Sequence, residues 1–120
     1  MSVDGARFGP PAESGSDLPG ADDRAERARL AAAVRTSLKE FAAAHPGRLV
    51  EVRVPPWAAV QVGAPGVESV HRRGTPPNVV ETDAATWLAL ADGSLTWAEA
   101  VAAHRVRASG VHADLGPLLS

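Results

Sequence analysis

Val50, Val52 and Val54 alternate with Glu51 and Arg53, and the run stops at Pro55-Pro56. Successive side chains of a strand point to opposite faces, so Leu49 to Val54 is expected to be a strand with one buried face and one wet face. Such a strand cannot stand alone. It needs partner strands along its edges and a second layer over its valines. Proline has no N–H to give to a ladder, so Pro55 and Pro56 break or bulge the chain before a second short strand, Trp57 to Val62.

A covering layer lies just upstream. Leu30, Val34, Leu38 and Phe41 recur at spacings of four, four and three, which is one apolar stripe along a helix. Asp22 or Asp23 can cap that helix, and Pro46-Gly47 ends it after about Ala44. Downstream, Gly63 to Gly66 makes a turn and Val67 to Arg73 is a third expected strand. Gly74 to Asn78 is a stiff loop leading into a fourth, Val79 to Thr82. Asp83 caps a short helix containing Trp87, Leu88 and Leu90, and Gly93 lies where a C-terminal cap belongs. Thr96-Trp97-Ala98-Glu99 has the spacing of a capping box, with Val101 on the face of Trp97. Arg105 to Ser109 is a last strand, and Ala113 to Leu119 a short apolar end interrupted by Gly116 and Pro117. The natural solution is an α+β two-layer domain.

Composition then narrows the function. With 120 residues, 45% hydrophobic and 22% charged, the chain has the make-up of one globular domain. Ten of the first 22 residues are Gly, Pro or Ser, so 1–22 is expected to be a disordered tail, with a docking arm as its functional alternative, and 23–120 the domain. That tail is net -3 and the remainder net +1. A near-neutral body lacks the basic footprint of a nucleic-acid binder. No run of about 18 apolar residues offers a transmembrane segment, and the first residues lack a signal peptide's apolar core, so the cytoplasm is the expected location.

The chain has no cysteine and no tyrosine. His45, His71, His104 and His112 fall into no metal-site spacing, and no cofactor motif is present. No nucleophile elbow occurs, so a hydrolase or isomerase using Glu81, His71 or His104 is a minor alternative to a non-enzymatic role. His71-Arg72-Arg73-Gly74 could hold a phosphate or carboxylate, or simply charge an edge strand. Trp57, Trp87 and Trp97 form either a packed core or the wall of an apolar cavity.

Val79 to Asp83, Thr86 to Trp97, Val101 and Arg105 to Gly110 resemble the sterol carrier protein 2 family. Val54-Pro55-Pro56-Trp57-Ala58-Ala59-Val60-Gln61 and Arg73 to Glu81 are more closely similar to its short bacterial, mainly actinobacterial, members. The resemblance covers about residues 28 to 119. It implies a mixed sheet of about five strands covered on one face by helices. It further implies an apolar cavity that in relatives accepts sterols, fatty acids or acyl chains, and no shared catalytic residue. Carried onto this chain, the lining would come from Trp57, Val60, Trp87, Leu88, Trp97, Val101, Leu115, Leu118 and Leu119. The expected function is non-enzymatic binding or carrying of an apolar small molecule or lipid. The alternative is a protein-interaction or regulatory domain with a filled core, because similar domains also occur appended to enzymes.

Overall fold

The computed structural model describes residues 19–67 and 78–119. The elements run α1 (Pro19–Ala44), β1 (Val50–Val54), β2 (Ala58–Val62), β3 (Asn78–Thr82), α2 (Ala84–Asp92), α3 (Trp97–Ala102), β4 (Val106–Ser109) and α4 (Gly116–Leu119). The chain divides into two compact units, Met1–Ala31 and Ala32–Ser120. In the first, the described residues are helical, and an exposed Glu26–Arg29 ion pair of 2.6 Å lies along the helix. The second holds the sheet and the other helices.

The helix begins at Pro19, earlier than the Asp22 or Asp23 cap expected from sequence, so Asp22 sits inside the first turn. A proline's missing N–H costs nothing at a helix start, and an acidic group suits that end of the dipole. The expected tail therefore gives way to helix at residue 19, and residues 1–18 lie outside the described residues.

Among the described residues the sheet has four strands, not five, in the order β2-β1-β3-β4. β1 pairs antiparallel with β2 and parallel with β3, and β3 pairs antiparallel with β4, so the sheet is mixed and open. Of the expected third strand, only Val67 is described. It makes an isolated bridge to Ala64 across the 64–67 turn, and two residues this close along the chain close a turn rather than extend a sheet. The rest of that segment, with His71-Arg72-Arg73-Gly74, lies outside the described residues.

Burial alternates along β1 as the sequence pattern requires, and along β3 as well. Val50, Val52 and Val54 are buried, as are Asn78, Val80 and Thr82, while their neighbours along each strand are half-buried. Val34 and Leu38 of α1 and Trp87 and Leu90 of α2 are buried too, and they supply the apolar layer the valines need. The Trp87 indole meets the Phe41 ring edge-on at 5.2 Å, and its Nε1–H donates to Ser37 Oγ at 2.9 Å, tying α2 to α1. β4 lacks a buried face: its Val106 is half-buried and Arg107, Ala108 and Ser109 are exposed.

Polar groups inside this unit are paired. Asn78 Nδ2 donates to the Leu49 carbonyl and its Oδ1 accepts from the His112 N–H, both at 3.0 Å. Thr82 Oγ1 donates to the Arg105 carbonyl at 2.7 Å. Between β1 and β2 the Pro55–Pro56 peptide is cis, and the Trp57 N–H closes the turn on the Val54 carbonyl at 2.9 Å. At the end of β2, Gly63 donates to the His45 carbonyl at 2.9 Å, and a Cβ at Gly63 would stand 2.3 Å from the Pro46 carbonyl oxygen. Only glycine allows the two backbones to approach this closely.

Candidate functional site

Three helix ends meet around a cleft of about 470 Å³. Ser37, Glu40 and Phe41 come from α1, Leu88, Ala91 and Asp92 from α2, and Leu118 and Leu119 from α4. On α1 and again on α2 the lining residues fall at i, i+3 and i+4, the spacing that brings side chains onto one face of a helix. The volume is that of a small-molecule site.

Local devices fix the ends of the short helices. Asp83 caps α2, its carboxylate accepting from the Thr86 N–H at 2.8 Å and the Thr86 hydroxyl at 3.0 Å. At the other end Gly93 adopts φ 85°, which ends α2 just past Asp92. Thr96 and Glu99 form the expected capping box at the start of α3, with both reciprocal bonds in place. α4 is only four residues long, with Pro117 in its first turn, and the N–H groups of Leu118 and Leu119 both reach the Leu115 carbonyl at 3.0 Å. Gly116 and Pro117 thus begin this turn of helix where interruption was expected, because a proline fits there.

The walls of the cleft are apolar: Phe41, Leu88, Ala91, Leu118 and Leu119. Its polar groups are Ser37, Glu40 and Asp92. Ser37 Oγ is engaged, accepting from Trp87 and donating to the Val34 carbonyl at 3.0 Å. Hydrogen bonding from Ser94, through its side chain and then its backbone N–H, holds the Asp92 carboxyl below the usual carboxylate range. Glu40 and Asp92 are both exposed.

The residues expected to line one cavity are distributed over the unit. Leu88, Leu118 and Leu119 line the cleft. Trp87 is fully buried behind it, in contact with Phe41 and Ser37, and Leu115 is core. Trp57 is half-buried and lines a separate hollow of about 290 Å³ with Pro55 and Pro56. Val60 is half-buried on β2, opposite Val52. Trp97 is half-buried beside Gly116, where a Cβ would lie 3.2 Å from its Cδ1, and Val101 is 46% exposed. Ser37, Glu40, Ala91 and Asp92 had no signal beyond their helical spacing, since polar residues beside an apolar stripe look like a solvated face.

Another hollow, of about 390 Å³, brings Glu81, Asp83, His104, Arg105 and Arg107 together. Glu81 pairs with Arg107 at 2.8 Å, across the β3–β4 register. Arg105 Nε donates to Thr86 Oγ1 at 3.0 Å, and His104 sits exposed at φ 57°. Glu81 is thus engaged by an ion pair and Asp83 by the α2 cap, while His71 lies outside the described residues. Among the described residues no group of three or more His, Asp or Glu side chains could hold a metal ion, and no helix is long and apolar enough to cross a membrane.

A family model described as a bacterial SCP ortholog matches residues 26–120. No curated protein gives a significant match.

Proposed function

The chain belongs to the family of bacterial SCP orthologs, and from that premise we propose that it binds and carries a small apolar ligand in the cleft between α1, α2 and α4, without making or breaking bonds. One observation carries this reading: a cleft of about 470 Å³ walled by Phe41, Leu88, Ala91, Leu118 and Leu119. An acyl chain or sterol laid against those side chains gains about 25 cal/mol for each Å² of apolar surface removed from water. Such a force is non-directional, so chain length and bulk are selected weakly. The charged groups of the Glu81–Asp83 hollow serve the fold in this view, Glu81 by bridging two strands and Asp83 by capping α2.

Native mass spectrometry of gently purified protein, followed by organic extraction, tests the proposal. A stoichiometric lipid, or saturable uptake of an added long-chain alcohol or sterol, is the expected result. Clean protein with no uptake of either would sink it. The second reading, a protein-interaction or regulatory domain with a filled core, is favoured by the complete burial of Trp87, which fills the space that ring would otherwise wall. It calls for a defined protein that co-purifies while no lipid does.

A further inference from the structure

Resting on that ligand-binding reading, we propose that the cleft between α1, α2 and α4 takes a single-chain amphiphile with a protonated amine head and turns away fatty acids and other anionic heads. The cleft has two parts. Its apolar walls come from all three helices, and its charged groups are two carboxylates, Glu40 on α1 and Asp92 on α2, with no Lys, Arg or His in the lining. The third polar group, Ser37, already gives its proton to Val34 and accepts from Trp87. Both charged side chains of that lining are therefore negative. His45, whose ring packs against Phe41 at 4.8 Å, lines a neighbouring hollow beyond Leu118, outside this lining.

Charge complementarity sets the order of ligands. A fatty-acid carboxylate brought beside Glu40 and Asp92 is repelled by both, a neutral alcohol is indifferent to them, and an ammonium is attracted by both. Asp92 is well placed for this, because its hydrogen bonds with Ser94 favour the ionised carboxylate. Both acids face solvent, so salt screens their effect and keeps it moderate, about tenfold in affinity for each step of the order.

The experiment is a calorimetric titration of the full chain with dodecylamine, dodecanol and dodecanoate, each below its aggregation threshold. The expected order is amine tighter than alcohol, and alcohol tighter than carboxylate. Glu40→Gln is expected to weaken the amine several-fold and leave the alcohol unchanged, and Asp92→Asn, which keeps an oxygen for the Ser94 N–H, to do the same. The amine's advantage is also expected to shrink in 1 M salt, where the screening length falls to about 3 Å. Equal binding of amine and alcohol, or dodecanoate binding tightest, would overturn the proposal while the carrier reading stands. Saturable binding of none of the three would overturn the proposal, and the carrier reading falls with it when an added sterol is not taken up either. Circular dichroism of each variant identifies a folding defect, and the salt series on the unmodified chain decides the matter without any variant.

Discussion

Ser37→Ala is the smallest change that probes how the core and the cleft are joined. The Trp87 indole is fully buried, and its Nε1–H donates to Ser37 Oγ at 2.9 Å. Removing the hydroxyl leaves a buried donor without its acceptor, which costs about 1–3 kcal/mol. Two effects reduce that figure. Ser37 lines the cleft, so a water can take the vacated position, and alanine is a few tenths of a kcal/mol the better helix former. The expected net loss is about 1–2 kcal/mol. With a urea slope of about 1–3 kcal/mol per molar, the unfolding midpoint should drop by about 0.3–2 M, read by far-ultraviolet circular dichroism. Trp87→Phe removes the donor itself, so the two changes together should cost about 1 kcal/mol less than their separate costs combined. A midpoint unmoved by Ser37→Ala, or strict additivity of the pair, would refute the claim that this hydrogen bond joins α1 to α2.

Gly63→Ala should destabilise by about 1–3 kcal/mol, because the new Cβ meets the Pro46 carbonyl oxygen and the backbone must move. Thermal melting checks this, and a native-like midpoint would show that the His45–Gly63 approach is slack. Asp83→Ala should cost about 0.5–2 kcal/mol at neutral pH through loss of the α2 cap. Because the Thr86 N–H first, with the Thr86 hydroxyl and Arg105 also contributing, holds the Asp83 carboxyl below its ordinary value of 3.8, its charged-state stabilisation is present above that pH and lost as pH falls through the lower folded value. The gap between wild type and Asp83→Ala should therefore narrow below that pH in acid unfolding curves, and a gap that stays constant down to full acid unfolding would contradict the assignment.

The parts of the fold decided locally were legible in the chain. Asp83, Gly93 and the Thr96–Glu99 box each satisfy backbone groups within a few residues, so their spacing alone carries the information. Alternation showed the buried face of β1 for the same reason. Asn78 was hidden: as a loop residue it looks ordinary, yet it is buried and holds Leu49 and His112, partners 29 and 34 residues away. The start of α1 was also missed, because a Pro-Gly pair discourages a helix everywhere except at its first turn. For the cleft, the family resemblance pointed to Leu88, Leu118 and Leu119. Which turns of α1 and α2 face them depends on how three helices pack, and periodicity within one helix cannot report that.

The outer wall formed by Leu118 and Leu119 has a practical side. α4 is a single turn, and its last residue, Leu119, lines the cleft. An affinity handle or fusion partner attached just beyond Leu119 by a short flexible linker is tethered next to this wall and samples the cleft at an effective concentration that reaches the millimolar range. A histidine-rich handle, cationic in mild acid, would compete there with an amine ligand.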